Sequence, residues 1–168
     1  YPKLLVVSDV AVIPLPDFKQ KQKQIGYLAQ TARLLGIQTP KIACIAPSEQ
    51  LLPNVISSTE GALLAKMADR GQLGDVIVDG PLSLDVALYK EVAEHKKVKG
   101  SSVAGDPDCL LFPNLESANV FFKAASHLCK GELAAMVMGT KVPCVLTSRG
   151  DTSKTKLYSI ALACLAAK

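Results

Sequence analysis

The sequence has no tryptophan, few aromatic residues of any kind (5%) and only three arginines, Arg33, Arg70 and Arg149. A nucleic-acid-binding surface typically combines a basic stripe with arginine and aromatic side chains, which contact phosphates and bases. The densest basic run, KQKQKQ at 19–24, contains neither. We interpret it as the solvated face of a helix, with contact to a polyanion as the alternative. We therefore expect no nucleic-acid partner, although the formal net charge is +4.

Histidine and cysteine do not form a metal-site pattern. The two histidines, His95 and His127, lie in helical stretches and are expected at the surface or in packing. The five cysteines are odd in number, widely spaced and without a CxxC pair. Each lies in or beside an apolar stretch, which predicts buried, reduced thiols and a cytoplasmic protein. The cysteines are Cys44, Cys109, Cys129, Cys144 and Cys164.

No apolar run approaches the ~20 residues that a membrane-spanning helix needs, so no membrane partner is expected. No signal peptide is recognisable where the sequence starts. With 49% hydrophobic and 20% charged residues, the 168-residue chain has ample material for the core of an ordinary domain. The first residue is Tyr1 rather than Met, which predicts a chain that is processed, trimmed or part of something longer.

Short apolar runs rich in β-branched residues alternate with longer amphipathic segments. Runs without polar alternation suit strands that are buried on both faces of a parallel sheet. Together with the helical segments they predict an α/β fold, a three-layer α/β/α sandwich with a mostly parallel sheet. The predicted strands are 4–13, 41–46, 76–80, 109–113, 134–139 and 142–147, and the predicted helices are 17–36, 57–71, 83–95, 114–131 and 151–168.

Some local features refine this pattern. Ser57 and Glu60 have the spacing of a capping box, and Asn114 is a plausible N-cap. The paired runs within 134–147 predict a hairpin or a passage from one sheet to another. One face of the last helix is apolar. This face contains Leu157, Ile160, Ala161, Cys164 and Leu165.

Polar residues follow most of the apolar runs. In open α/β folds ligands bind outside the carboxyl ends of the strands, so these residues are candidates for substrate binding. Strand ends and helix caps also favour Asp, Asn and Ser, and capping is the alternative role for Asn114 in particular. The candidates are Asp9, Asp79, Gly80, Asn114, Glu116, Asn119 and Gly139.

The joint between the last predicted strand and the last helix contains Ser148, Arg149, Gly150 and Asp151. The forked arginine side chain suits a phosphate or carboxylate, and a helix N-terminus adds free N–H groups. In the alternative, Asp151 or Thr152 caps the helix and Arg149 points to solvent. Neither GxGxxG nor GxxxxGK[ST] occurs, which disfavours a dinucleotide-binding or P-loop protein. No GxSxG elbow is present, which disfavours a serine hydrolase.

The joint and its helix, PxVLTSRxD followed by KLYSIAL, resemble the C-terminal signature of the phosphate acetyl/butaryl-type acyltransferases, most nearly the phosphate butyryltransferases. Further matching stretches occur in the same order as in that family. They are SDVAV (8–12), KMADRGQL (66–73), VDGPLSLDVAL (78–88) and FPNLESANVFFK (112–123). Because family members are about twice as long, the resemblance implies that this chain is their C-terminal half.

The resemblance also implies the isocitrate/isopropylmalate dehydrogenase-like superfold, in which two α/β domains face each other across a cleft. Residues 1–146 would then be most of the second domain. Residues 147–168 would carry a C-terminal helix that returns to the first domain, which is absent from this chain. A homodimer or higher homo-oligomer is expected.

The implied reaction is acyl-CoA plus phosphate giving acyl phosphate plus CoA, with butyryl or another short or branched acyl chain. Acyl-CoA and phosphate are the expected partners, CoA is a substrate, and no tightly bound cofactor is implied. Arg149 would hold the phosphoryl group or stabilise the developing charge, and Ser148 would donate to the intermediate or the CoA sulfur. Direct transfer in a ternary complex is preferred, because no cysteine has a basic partner in sequence.

The general base is not identified by the resemblance. Phosphate acetyltransferases carry a carboxylate seven residues beyond the signature serine, where this chain has Thr155. Asp151 is the candidate base in its place, and Asp9 would orient Arg149 or bind the substrate directly. Ile13 stands where related sequences often have Asn.

Two alternatives to the acyltransferase function remain. They are a nicotinamide-dependent dehydrogenase of the same superfold and an inactive fragment that binds CoA or phosphate.

Overall fold

Strands and helices alternate along most of the chain, as the hydrophobic pattern predicted, except where α3 is followed by α4 and β5 by β6. The computed structural model describes residues 1–167, which divide within the fifth helix into two units, Tyr1–Asn119 and the residues from Val120 onward. The elements are β1 (Val6–Ser8), α1 (Phe18–Leu34), β2 (Lys41–Ile45), α2 (Ile56–Asp69), β3 (Ile77–Leu82), α3 (Leu84–Leu88), α4 (Lys90–His95), β4 (Cys109–Leu111), α5 (Leu115–His127), β5 (Met136–Val137), β6 (Cys144–Val145) and α6 (Ser153–Ala166).

The first unit is built on a four-stranded parallel sheet with the order β1-β4-β2-β3. Apolar side chains of α1 and α2 pack on one face of this sheet and form a buried core. Ile25 and Leu28 of α1 and Leu64 of α2 meet Ile42 and Leu111 of the central strands in this core. An α/β fold with a mostly parallel sheet flanked by helices is therefore confirmed.

The helix starts differ from the prediction. The expected capping box of Ser57 and Glu60 is wrong, because α2 begins at Ile56 and its start has no side-chain cap. Glu60 is instead drawn into an ion pair with Lys21 of α1. A capping box occurs at α1, where the Asp17 carboxylate accepts from Gln20 N–H at 2.7 Å and the Gln20 side chain accepts from Asp17 N–H at 2.8 Å.

The second unit contains an antiparallel hairpin of β5 and β6, so the first of the two alternatives for 134–147 is correct. Helix α6 lies on this hairpin through a face of small residues, Thr155, Ser159 and Ala163. Ser159 Oγ accepts from Ala135 N–H at 2.9 Å and donates to the Thr155 carbonyl at 2.7 Å. The predicted apolar face of α6 is exposed within the described residues, with Leu157 63% and Ile160 54% accessible.

Within residues 1–167 no helix combines the length and the apolar character that spanning a bilayer requires. The prediction that all cysteines are buried is only partly correct. Cys44 and Cys109 are buried, whereas Cys129 and Cys164 are exposed and Cys144 is half-buried, and all five are free thiols. His95 and His127 are exposed at the ends of α4 and α5, as expected for surface residues.

Candidate functional site

Asp9 organises the loop that follows β1. Its Oδ1 accepts from the N–H groups of Ala11 and Val12 at 3.1 and 2.9 Å, and its Oδ2 accepts from Ile13 N–H at 2.9 Å. The predicted strand 4–13 ends at Ser8 because this carboxylate folds the following segment into a turn. Asp9 therefore shapes the carboxyl edge of the sheet through backbone contacts of its own loop.

The start of α5 is attached to the same loop. Asn119 Nδ2 donates to the Val10 carbonyl at 2.9 Å, and Leu115 N–H donates to the Pro14 carbonyl at 3.0 Å. Asn114 Oδ1 accepts from Ser117 N–H at 2.9 Å, which is the capping role that its position predicted. Thus the structure brings the candidates Asp9 and Asn119 together in one hydrogen-bonded corner.

Glu116 follows Asn114 on the first turn of α5 and is exposed. A carboxylate in this position is favourable beside the positive end of the helix dipole. Its side chain forms no hydrogen bond or ion pair with residues 1–167. Glu116 is therefore available to a ligand at this corner.

Asp79 and Gly80 lie on β3, at the other edge of the sheet from Asp9. The order β1-β4-β2-β3 places three strand spacings, roughly 14 Å, between β1 and β3. Asp79 Oδ1 accepts from Gly80 N–H at 2.8 Å. The sequence grouped these candidates on one rim, but the structure separates Asp79 from the corner of Asp9 and Asn119.

Gly80 is required for close packing. A Cβ atom added at Gly80 would lie 2.6 Å from the Cβ atom of Cys44 and 3.4 Å from the Cα atom of Gly61 in α2. Carbon atoms make optimal contacts at roughly 3.5–4.0 Å, so no side chain fits at this position. The peptide bond between Gly80 and Pro81 is cis. The structure thus explains glycine here by the approach of three elements, whatever ligand role it also has.

A buried polar layer, which the sequence did not predict, lies at the carboxyl end of the same sheet. Lys21, expected on a solvated helix face, is 4% exposed and forms an ion pair with Glu60 of α2. Gln24, one turn further along α1, is 5% exposed. The interpretation of KQKQKQ as a solvated face is therefore wrong for these two positions, because α1 turns them toward α2 and the sheet.

The layer also contains polar atoms that have no partner. Neither the Gln24 side-chain amide nor Ser8 Oγ forms a hydrogen bond with the part of the chain that the structure describes. Ser8 is the register partner of Leu111, and Leu111 is the partner of Cys44, so the three side chains form the last row of the sheet. Leaving buried polar groups unpaired costs about 1–3 kcal/mol each.

In the second unit, the joint between β6 and α6 is a closed turn. Asp151 Oδ2 accepts from Ser148 N–H at 2.7 Å, and Asp151 N–H donates to the Ser148 carbonyl at 3.1 Å. Thr152, and not Asp151, is the N-cap of α6, since its Oγ1 accepts from Thr155 N–H at 3.1 Å. Of the two capping alternatives, the structure selects Thr152.

The turn presents Ser148 and Arg149 to solvent. Neither side chain forms a hydrogen bond or ion pair with residues 1–167. Thr155, which occupies the position of the acetyltransferase carboxylate, is 8% exposed, and its Oγ1 lies 3.1 Å from Thr152 Oγ1. The structure thus leaves an arginine fork and a hydroxyl free beside a helix N-terminus, without a carboxylate on the first turn of that helix.

Gly139 lies in the turn of the hairpin, between β5 and β6, with φ +88°. Its left-handed backbone is the conformation that glycine adopts without strain. The hairpin turn and the joint of Ser148–Asp151 are at opposite ends of β6 along the chain. Gly139 is therefore not brought next to Ser148 by the hairpin.

The buried cysteines are poor nucleophiles. Burial raises the pKa of the Cys44 thiol to about 12, and the neighbouring Asp79 carboxylate adds to the increase. Burial also raises the pKa of Cys109 to about 12, with a further contribution from Asp108. Because the thiolate is the reactive form, neither residue suits an acyl-cysteine route.

Comparison with known proteins gives a consistent assignment. A sequence model of the phosphate acetyl/butaryl transferase family matches residues 2–164. The phosphate butyryltransferase of Clostridium beijerinckii is 44% identical over 98% of this chain and 54% of its own length. The phosphate acetyltransferase of Thermotoga maritima is 41% identical over 96% of this chain and 55% of its own length.

Solved structures agree with this assignment. The crystal structure of a branched-chain phosphotransacylase from Enterococcus faecalis V583 matches with a TM-score of 0.85 and 30% identity, over 95% of this chain and 56% of that chain. The chain therefore spans about half the length of the curated relatives that it matches.

Proposed function

We propose that this chain, which belongs to the phosphate acetyl/butaryl transferase family, is part of an enzyme that converts acyl-CoA and phosphate into acyl phosphate and CoA. The observation that carries the proposal is the family match over residues 2–164, which includes the exposed turn of Ser148 and Arg149. A butyryl, short or branched acyl chain is the proposed donor, since relatives are named for butyryl, acetyl and branched-chain transfer.

In the proposed mechanism the protein positions two substrates and stabilises charge. The guanidinium of Arg149 binds phosphate through two parallel hydrogen bonds, for which its free fork is suited. Ser148 Oγ donates to the oxygen that gains charge in the tetrahedral intermediate or to the CoA sulfur. Asp151 is the third residue proposed for this site. Direct transfer is proposed, and burial, which raises the pKa of Cys44 and Cys109 to about 12, makes these two thiols unsuited to an acyl-cysteine intermediate.

Residues of the first unit are proposed to bind the substrates. The corner formed by the Asp9 loop and the start of α5 offers the exposed Glu116 carboxylate and the remaining atoms of Asn114 and Asn119. Asp79 and Gly80 on β3, and Gly139 in the hairpin, complete the proposed set. CoA acts as a substrate, and we propose no tightly bound cofactor.

The exposed face of α6 supports a proposal about the rest of the protein. A helix that buries Thr155 and Ser159 while exposing Leu157 and Ile160 has not found its apolar partner within the described residues. We propose that residues 147–168 pack on a first domain outside this chain, and that 1–146 form most of the second. The two domains would form the isocitrate/isopropylmalate dehydrogenase-like superfold.

We also propose a cytoplasmic homodimer or higher homo-oligomer. Five free cysteines support a reducing compartment. The dehydrogenase alternative has no support in the family match, and the inactive-fragment alternative applies to this chain taken alone.

The proposal is tested by measuring CoA release from acetyl-, butyryl- and isobutyryl-CoA with phosphate. The complete reading frame and this 168-residue chain are assayed in parallel. We expect turnover from the complete protein and little or none from the chain alone, because its apolar α6 face lacks a partner. Absence of CoA release from the complete protein with every donor would contradict the proposed function.

Substitutions in the complete protein test the assigned residues. Arg149→Ala should raise the phosphate KM or abolish turnover, since it removes the forked donor. Lys156→Ala, which removes another exposed cation from the first turns of α6, is the matched control and should leave the kinetics unchanged. Equal phosphate KM values in the two variants would refute the role of Arg149.

A further inference from the structure

The turn of Ser148–Asp151 depends on the Asp151 side chain. Its carboxylate accepts from Ser148 N–H at 2.7 Å, opposite a backbone hydrogen bond of 3.1 Å in the reverse direction. The carboxylate therefore fixes the backbone of Ser148 directly before Arg149.

Within residues 1–167 no other side chain accepts from Ser148 N–H. Thr152 Oγ1 accepts from Thr155 N–H as the N-cap, and Thr155 Oγ1 is buried against Thr152 Oγ1. Gly150, inside the turn, is exposed and would meet no atom within 4 Å if it carried a Cβ. Without the carboxylate, a flexible residue would separate Arg149 from the anchored helix.

We propose that Asp151 is a positioning residue, which holds Ser148 and Arg149 in place for the phosphoryl group, and is not the base of the reaction. This inference rests on the proposed function. A base takes up a proton during turnover and becomes neutral. A proton taken up on Oδ2 would displace the Ser148 N–H that this atom holds at 2.7 Å, and the turn would open when Ser148 and Arg149 must stabilise the intermediate.

Two variants of the complete protein separate the roles. Asp151→Asn keeps an oxygen that can accept from Ser148 N–H but cannot take up a substrate proton. Asp151→Ala removes the acceptor. For positioning, we expect Asp151→Ala to lower kcat/KM for phosphate roughly 10–100-fold, while Asp151→Asn stays within about fivefold of wild type with an unchanged pH profile.

Hydrogen exchange of the Ser148 amide gives a second measurement that does not need activity. Its exchange should be roughly tenfold faster in Asp151→Ala and nearly unchanged in Asp151→Asn. An Asp151→Asn protein as inactive as Asp151→Ala, but with wild-type exchange, would overturn the proposal and assign the base. Wild-type exchange in Asp151→Ala would overturn it as well.

The two proposals fail in different ways. Lack of CoA release from the wild-type protein contradicts the acyltransferase function, while the exchange measurement still decides whether Asp151 holds the turn. Should Asp151→Ala fail to fold, the pH profile of Asp151→Asn decides. If the pH–rate profile of Asp151→Asn loses the acidic limb that the wild type shows, Asp151 is the base. If the acidic limb is retained, Asp151 is a positioning residue.

Discussion

Helices α1 and α6 differ in the apolar side chains that they bury. In the first unit, α1 covers the sheet with Ile25 and Leu28 and also buries Lys21, which is paired with Glu60. In the second unit, α6 buries hydroxyl groups, such as that of Ser159, and leaves its apolar residues exposed. The apolar residues of α1 are concentrated on one side of the helix, whereas those of α6 are spread around it, so α6 keeps apolar residues exposed after its small-residue face is buried.

This difference shows that the apolar residues of a helix become part of a core only where another apolar surface packs against them. The apolar residues of α1 meet strands of the same unit, whereas those of α6 meet no comparable surface in the described chain. A charge is buried in α1 because its partner is fixed on α2. The first unit thus contains its own apolar and charged partners, and the second does not.

The largest expected contrast between the units is in thiol reactivity. The pKa of Cys44 and Cys109 is raised to about 12 by burial, so at pH 8 only about one molecule in ten thousand has either thiolate. We expect iodoacetamide to modify Cys129 and Cys164 at least about a hundredfold faster than Cys44 and Cys109, because the first two side chains are exposed. Mass spectrometry after timed alkylation measures this, and urea should abolish the difference.

Breaking the buried ion pair should have the next largest effect. Lys21→Met leaves the half-buried Glu60 without its partner and should lower the free energy of unfolding by about 1.5–3 kcal/mol. Urea denaturation measures the loss. Lys23→Met changes an exposed lysine of the same helix and should have little effect. The double variant Lys21→Met with Glu60→Leu should recover most of the stability, and failure to do so would refute the pairing.

A smaller effect is expected from the buried hydroxyl of α6. Ser159→Ala removes the acceptor of Ala135 N–H and should cost about 1–3 kcal/mol. Ser153→Ala, at the exposed start of the same helix, is the matched control. Thermal unfolding of both variants checks the prediction. Equal melting temperatures would mean that Ser159 does not join α6 to the hairpin.

The smallest effect in this chain is expected at the apolar face of α6. Ile160→Ser should change its unfolding free energy by no more than about 0.5 kcal/mol, because the side chain is already exposed. In the complete protein the same change should cost about 2–5 kcal/mol if the proposed first domain covers this face. Equal effects in the two proteins would contradict that packing.

The helices and strands of the sheet could be predicted because they depend on local periodicity. The residues of β2 after Lys41 and all three residues of β4, for example, are apolar, as buried parallel strands require. The burial of Lys21 could not be predicted, since its partner Glu60 lies 39 positions along the chain. Similarly, the split of the predicted helix 83–95 into α3 and α4 comes from the extended backbone of Tyr89.

The candidate site was predictable in residue type but not in contacts. Sequence placed Asp9 and Asn119 beside strand ends, and the structure joins them through the Val10 carbonyl and the Asp9 loop. It could not indicate that Asp9 is engaged by three N–H groups of its own loop, or that Thr152 rather than Asp151 caps α6. These contacts depend on loop conformation, which has no simple periodic signal.

The close contact of Gly61 with Gly80 has a consequence for the alignment of α2 on the sheet. A shift of α2 by one residue would move it about 1.5 Å along its axis and turn it by about 100°. Either neighbour, Glu60 or Ala62, would then place a Cβ atom about 3.3 Å from Cys44 Cβ and 3.4 Å from the Pro81 backbone, closer than carbon atoms ordinarily pack. Two residues without side chains thus favour one register of the helix, and with it the point at which Lys21 and Glu60 meet.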